Sequence, residues 1–284
     1  MKPDPRFLKQ PKTFWAHVRT ISEQFGYTKR GEGVIKTPQL ADIAEILETI
    51  GLSDRNILNQ DNSPSDFCRL LVDYYEYRAN ILNTYVEPRL MNVERTQKVF
   101  EALKHSLSPR CPIPLNKQKG DKKAVNYLTA IVNMLIEANA ESLPCTYDPR
   151  TLTSITRDGM LLRTLARRLD GAFPSAINPI AVWEIKEYYY TTTFGSRVAD
   201  GVYESLLDGL ELEELREHEG IDVKHYLMVD SHYTWWECGR SYLCRIIDML
   251  HMGYIDEVLF GYEVVERLPQ IVKEWVTLAK SRIS

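Results

Sequence analysis

The stretch Trp183-Glu184-Ile185-Lys186-Glu187 is typical of a β-strand with two different faces. Because side chains alternate along a strand, Glu184 and Lys186 point to one side while the apolar residues next to them point to the other. One carboxylate and one ammonium group therefore lie side by side. Asp170 stands fourteen positions before Glu184, and an aspartate arriving from the preceding strand can share a divalent cation with it. Asp170, Glu184 and Lys186 are the candidate catalytic residues.

Short segments rich in β-branched and aromatic residues surround this stretch. The segments Thr151 to Thr156, Leu161 to Leu169 and Ile180 to Glu187 are separated by glycines and prolines, which predicts three antiparallel strands in a meander. A helix and a strand then alternate twice: a helix from Val198 towards Gly220, a strand at His225 to Asp230, a helix through Leu243 and Leu250, and a strand at Glu257 to Phe260. This alternation predicts an α/β (α+β) fold in which helices cover both faces of a mixed sheet.

The N-terminal part has helical periodicity. Helices are predicted around Phe14 to Phe25, Leu40 to Leu47, Ser65 to Asn83 and Pro88 to Lys104, with another from Ala124 to Asn139. Between the last two, prolines and lysines interrupt the pattern. We place the domain boundary there, with a helical region at residues 1–115 that binds DNA or forms a dimer, and a catalytic domain at residues 116–284.

Composition narrows the class of protein. The chain has 284 residues, 44% of them apolar, and a net charge of −4, so the total charge does not indicate a nucleic-acid partner. Five scattered cysteines without a CxxC pair indicate neither a zinc site nor a disulfide scaffold, which favours a reducing compartment. No apolar run reaches about 18 residues, and no signal-peptide core precedes the first helix. We therefore expect a cytoplasmic protein without a membrane segment.

The order helix, three strands, helix, strand, helix, strand, with an aspartate on one meander strand and Glu-x-Lys on the next, resembles the PD-(D/E)xK nuclease superfamily. The resemblance is greatest to its type II restriction endonucleases and covers about residues 124 to 262. It is carried by Asp170, Glu184 and Lys186, with Glu137 on the preceding helix as a possible auxiliary residue. Leu169 stands where the family pattern has proline.

This resemblance implies a restriction-endonuclease-like fold and a Mg²⁺ ion held by Asp170 and Glu184. The implied activity is sequence-specific hydrolysis of double-stranded DNA by a homodimer in restriction–modification, leaving 5′-phosphate ends. Lys186 would orient or help to deprotonate the attacking water, or stabilise developing negative charge.

Polar residues in three loops are candidates for DNA contact. They are Lys29 and Arg30 in a basic loop, Thr191, Thr193, Ser196 and Arg197 before the helix that follows the central strand, and His232 and Tyr233 after the next strand. The structural alternatives are a solvated connection for the first loop, a capped helix start for the second and a dimer contact for the third.

The same residues also suit other functions. The charged residues at 184 to 187 would also suit the polar rim of an edge strand, although the two strands expected beyond them make this strand central. A non-catalytic DNA-binding module of the same fold, or a nuclease acting on RNA or on branched or damaged DNA, would use the same framework. A glycine-rich phosphate loop, HExxH and GxSxG are absent from the sequence, so it offers no motif for another enzyme class.

Overall fold

A mixed β-sheet forms the centre of the computed structural model, which describes residues 1–8, 10–29, 32–115, 124–190 and 195–283. The strands are β1 (Thr146–Tyr147), β2 (Ser154–Arg157), β3 (Met160–Thr164), β4 (Gly171–Phe173), β5 (Ala181–Glu187), β6 (Lys224–Asp230) and β7 (Glu257–Phe260). Five strands form the sheet in the order β1-β4-β5-β6-β7. The pairs β1–β4 and β4–β5 are antiparallel, and the pairs β5–β6 and β6–β7 are parallel. Strand β5 is therefore central.

Helices lie before the sheet in the chain, between its strands and after the last strand. They are α1 (Pro5–Leu8), α2 (Lys12–Phe25), α3 (Leu40–Thr49), α4 (Asp66–Ile81), α5 (Val93–Leu107), α6 (Tyr127–Asn139), α7 (Ser196–Glu219), α8 (Arg240–His251) and α9 (Glu263–Ile283). Helix α4 continues through a π-helical turn at Leu82–Val86 and a 3₁₀ turn at Glu87–Arg89, and a second π-helical turn covers Tyr233–Cys238. None of the described helices has both the length and the apolarity needed to cross a bilayer.

The predicted mixed sheet with helices on both faces is confirmed. Helices α6 and α9 pack on one face, where Trp183 of β5 stacks on Trp275 of α9 with ring centroids 5.5 Å apart and 12° between the ring planes. Helices α7 and α8 pack on the other face. Glu184 and Lys186 point towards α7, so adjacent residues of β5 face opposite layers as predicted.

The prediction of the three-strand meander is wrong about which strands form it. Strands β2 and β3 pair with each other in a separate hairpin outside the five-stranded sheet. Its turn, Asp158-Gly159, has φ values of 52° and 79°, and two consecutive positive φ angles are the conformation of a tight two-residue hairpin turn. The antiparallel part of the main sheet consists of β1, β4 and β5. Asp170 therefore lies directly before β4 and does not end a strand at residues 161–169.

Two glycines permit close packing beside the central strand. Gly171 of β4 lies opposite Trp183, and a Cβ atom at position 171 would be 2.0 Å from the indole ring. A Cβ atom at Gly201 of α7 would be 2.8 Å from Tyr188 Oη and 3.2 Å from Lys186 Cδ. Helix α7 therefore approaches β5 closely because position 201 has no side chain.

Helices α1 to α4 form a smaller core that a buried ion pair joins to α8. Arg78 Nη1 donates hydrogen bonds to Oδ1 and Oδ2 of Asp248 at 2.9 and 3.0 Å, and Tyr74 Oη donates to Oδ1 at 2.6 Å. Arg78 and Asp248 are 1% and 4% exposed. Because a buried charge without a partner is costly, this contact couples the N-terminal helices to the layer behind the sheet.

Candidate active site

The central strand and its antiparallel neighbour bring the three predicted catalytic residues together. The backbone N–H of Ile185 donates to Asp170 Oδ2 at 2.8 Å, and the backbone N–H of Asp170 donates to Glu184 Oε1 at 3.2 Å. Lys186 Nζ donates to Glu184 Oε2 at 2.7 Å. The strand alternation and the β4–β5 pairing together explain why these residues meet in the fold.

Three further residues complete the cluster. Arg167, in the connection between β3 and β4, contacts both oxygens of Glu184, with Nη1–Oε1 at 2.9 Å and Nη2–Oε2 at 3.1 Å. From α7, Glu204 Oε2 accepts hydrogen bonds from Lys186 Nζ at 2.9 Å and from Arg167 Nη2 at 3.3 Å. Asp208 Oδ2, one helical turn further, accepts a hydrogen bond from Arg167 Nη1 at 2.6 Å.

Sequence reasoning missed these three residues for different reasons. Glu204 and Asp208 are four positions apart in a predicted helix, so they share one face, and this spacing was an available signal. Arg167 lies in an irregular connection, where periodicity does not indicate the direction of a side chain.

The cluster is buried at its centre, open to solvent at Asp170 and Glu204, and has an excess of negative charge. Glu184 and Asp208 are 0% exposed and Lys186 is 7% exposed, whereas Asp170 keeps an exposed edge. The charged members are four carboxylates and two cations: Asp170, Glu184, Glu204, Asp208, Arg167 and Lys186. When all six are ionised, two negative charges remain, which is the charge that one divalent cation neutralises.

These surroundings shift the pKa values in opposite directions. Burial of the carboxylate, together with the charge of Glu184, raises the pKa of Asp170 to about 6, although one edge of the residue is open to solvent. The same two causes raise the pKa of Asp208 to about 7. Burial acts in the same direction on Glu184, but Lys186 and Arg167 outweigh it and lower the pKa of Glu184.

Lys186 carries its charge at neutral pH. Burial opposes the ammonium form, but the neighbouring charges of Glu184 and Asp170 and hydrogen bonds to Glu184 and Glu204 raise the pKa of Lys186 above its ordinary value. In the free protein it is therefore a donor of hydrogen bonds and of positive charge, and not a base.

The donor set fits a hard divalent cation. Asp170 and Glu184 supply carboxylate oxygens, which are the ligands that Mg²⁺ prefers, their charges interact, and Asp170 is open to solvent. Asp208 Oδ1 is buried and, among the described residues, has no hydrogen-bond partner. Within the same residues no three acidic, histidine or cysteine groups converge on one point, and Arg167 takes up contacts on both oxygens of Glu184.

Two other acidic residues of this region have structural contacts. Glu137, the predicted auxiliary residue, accepts hydrogen bonds from the backbone N–H groups of Arg110 and Cys111 at 2.8 and 3.1 Å. The structure thus places it against the chain before α6 and does not bring it into contact with the cluster. Glu187 accepts from the backbone N–H and the hydroxyl of Thr129, both at 3.0 Å, in the first turn of α6. It anchors that helix to the end of β5.

The structure describes the side chains of four candidate DNA-contacting residues. Lys29 is exposed and pairs with Glu32 at 2.7 Å, and Ser196 is exposed in the first turn of α7. The His232 ring lies 3.9 Å from Glu87 and 3.8 Å from Glu237. Tyr233 is 59% exposed. Arg30, Thr191 and Thr193 lie outside the described residues, as does the side chain of Arg197.

Comparison with known families divides the chain near the turns that follow α4. A family model described as Domain of unknown function (DUF7687) matches residues 91–275, and one described as Domain of unknown function (DUF7690) matches residues 1–85. No curated protein and no solved structure matches the chain. The first match contains every residue of the buried cluster.

Proposed function

We propose that this chain, which belongs to the family described as Domain of unknown function (DUF7687), is a Mg²⁺-dependent endonuclease that cleaves double-stranded DNA. The observation that supports this function best is that Glu184, on the central strand of a mixed sheet, accepts hydrogen bonds from both Lys186 and the backbone N–H of Asp170. A central strand is buried on both faces, so charged side chains on it carry a free-energy cost of burial. The polar rim of an edge strand would not carry this cost, so a rim does not explain why the charges are here. Their use in catalysis does explain it.

The residues have distinct roles in this proposal. Asp170 and Glu184 would hold the cation, and Asp170, with its exposed edge, would be the ligand that meets it first. When bound, Mg²⁺ lowers the pKa of a coordinated water and neutralises charge on the phosphate. Lys186, charged and held by Glu184 and Glu204, donates a hydrogen bond to the negative charge that develops during hydrolysis.

The arrangement of strands supports a restriction-endonuclease-like fold. Antiparallel β4 on one side of β5 and parallel β6 on the other follow the element order on which the resemblance to PD-(D/E)xK enzymes rests. In this proposal the protein acts in the cytoplasm as a homodimer. A two-fold symmetric dimer matches a palindromic site and can cut both strands of the DNA. The separate β2–β3 hairpin and α9 are additions to that order.

Cleavage of plasmid DNA tests the function directly. With Mg²⁺ we expect discrete fragments with 5′-phosphate ends, and a loss of at least about 100-fold in rate for Asp170→Asn, Glu184→Gln and Lys186→Met. Glu137→Gln is the matched control, because its carboxylate bonds to the backbone of residues 110 and 111, and it should retain activity.

The choice of substrates separates the alternatives. Duplex, methylated, branched and single-stranded DNA and RNA should be incubated side by side with folded protein. Cleavage of RNA or branched DNA alone would replace duplex DNA as the substrate while keeping the metal site. Absence of cleavage on every substrate, together with DNA binding that persists in EDTA and in Asp170→Asn, would overturn the proposal in favour of a non-catalytic binding module.

A further inference from the structure

The carboxylate of Glu184 is fully engaged in the free protein. An ionised carboxylate has about four lone-pair sites on its two oxygens. Oε1 lies 2.9 Å from Arg167 Nη1 and 3.2 Å from the backbone N of Asp170, while Oε2 lies 2.7 Å from Lys186 Nζ and 3.1 Å from Arg167 Nη2. A cation can therefore reach Glu184 only when one of these contacts is given up.

We propose that Arg167 is an internal counter-cation that competes with the divalent cation for Glu184, and that metal binding moves its guanidinium from Glu184 onto Asp208. This inference rests on the proposed function, because it concerns the same pair of metal ligands. It assigns Arg167 a positioning and regulatory role and Asp208 the role of its second acceptor.

Arg167 is the contact best able to leave Glu184. The backbone N–H of Asp170 is fixed by the pairing of β4 with β5, and Lys186 is a buried residue of the central strand. Arg167 belongs to the connection between β3 and β4, and 22% of its side chain is exposed. It also carries a permanent charge, which would repel a divalent cation on the same carboxylate.

Asp208 provides the place to which Arg167 can move. Its Oδ2 already accepts a hydrogen bond from Arg167 Nη1 at 2.6 Å, while its Oδ1 is buried without a hydrogen-bond partner among the described residues. A guanidinium matches a carboxylate with two parallel N–H groups. Rotation away from Glu184 would therefore satisfy the second oxygen of Asp208 and free one acceptor site on each oxygen of Glu184 in one movement.

The binding of Ca²⁺, measured by calorimetry without any turnover, tests this competition. Arg167→Met should bind Ca²⁺ about tenfold more tightly than the unmodified protein, since no guanidinium has to be displaced. Asp208→Asn should bind it several-fold more weakly, because Arg167 then loses the charged acceptor onto which it moves. Arg163→Met is the matched control: Arg163 also joins the hairpin to α7, through Glu214 at 2.7 Å, and its loss should leave Ca²⁺ affinity unchanged.

The outcomes distinguish this inference from the proposed function. Equal or weaker binding by Arg167→Met than by the unmodified protein would overturn the competition, while the metal site itself would stand if Asp170→Asn abolished binding. No Ca²⁺ binding by either folded protein would overturn both. Arg167→Gln, which keeps a neutral hydrogen-bond donor for Glu184 and Asp208, serves as the second variant if Arg167→Met does not fold, and it too should bind Ca²⁺ more tightly.

Discussion

At the scale of single residues, the buried carboxylates depend on their partners for their ionisation. Glu184 stays ionised because two cations contact it, whereas Asp170 and Asp208, with less compensation, have raised pKa values. Environment thus gives chemically similar side chains different protonation states at the same pH.

The pKa of Asp170 predicts how cation binding depends on pH. Because this pKa is raised to about 6, a proton competes with the cation for the carboxylate below pH 6 and is absent well above it. From about pH 8 to 6 Ca²⁺ affinity should decrease only several-fold, as Asp208 with its pKa of about 7 is protonated, and below about 6 it should fall by about tenfold per pH unit. Calorimetric titrations between these limits check this. An affinity that stayed constant down to pH 5 would contradict the assignment of Asp170 as a ligand.

The sequence could predict part of the site at this scale. Glu184 and Lys186 were predictable because strand alternation determines their directions, and Asp170 followed from its spacing to Glu184 although it does not end a strand. Glu204 and Asp208 were predictable in principle from their helical spacing. Arg167 was not, since its direction depends on the irregular path between the hairpin and β4.

At the scale of elements, Glu187 holds the start of α6 against the sheet. Its carboxylate accepts the backbone N–H and the hydroxyl of Thr129, and burial raises its pKa to about 7. Glu187→Ala would leave donors of the first helical turn unpaired and should lower the free energy of unfolding by about 1–3 kcal/mol. Glu187→Gln keeps an acceptor oxygen and should cost clearly less. Urea denaturation measures both, and equal losses would show that the hydrogen bonds do not hold the helix.

The packing of α7 on β5 at Gly201 leads to another prediction. A Cβ atom there would be 2.8 Å from Tyr188 Oη and 3.2 Å from Lys186 Cδ, so Gly201→Ala must displace the lysine or the helix. Alanine also favours a helix by about 1 kcal/mol over glycine. We therefore expect stability to change little while DNA cleavage falls by about tenfold or more. Thermal unfolding and cleavage rates measure the two effects, and unchanged cleavage would contradict this view of the packing.

Periodicity predicted the long elements better than the short ones. Helix α2 and strand β7 lie where their patterns indicated, and α7 ends at Glu219, directly before Gly220, whose φ of 66° suits a helix terminus. Strand β1 has two residues, too few for a pattern of alternation. Helix α9 was missed although its buried residues have helical spacing; Pro269 interrupts its sequence pattern without ending the helix. The membership of the meander depended on tertiary pairing, which composition does not encode.

At the scale of the whole molecule, the ion pair Arg78–Asp248 joins regions that match two different family models. Asp248→Ala would leave the Arg78 charge buried without its carboxylate partner, so we expect a loss of about 3–5 kcal/mol in the free energy of unfolding. Arg78→Met combined with Asp248→Leu removes both charges and should recover part of that loss. Denaturation followed by tryptophan fluorescence measures each variant. A loss below about 1 kcal/mol for Asp248→Ala would show that the pair does not couple the two regions.

The stacked indoles of Trp183 and Trp275 give the molecule an optical property of its own. With centroids 5.5 Å apart and planes 12° from parallel, their electronic transitions couple, and the circular dichroism of such a pair depends steeply on mutual orientation. Trp183 precedes Glu184 on the same strand, so a shift of that strand on cation binding would change the exciton signal. A change of this signal on addition of Ca²⁺ would therefore report a movement of β5 from the opposite face of the sheet, without any attached label.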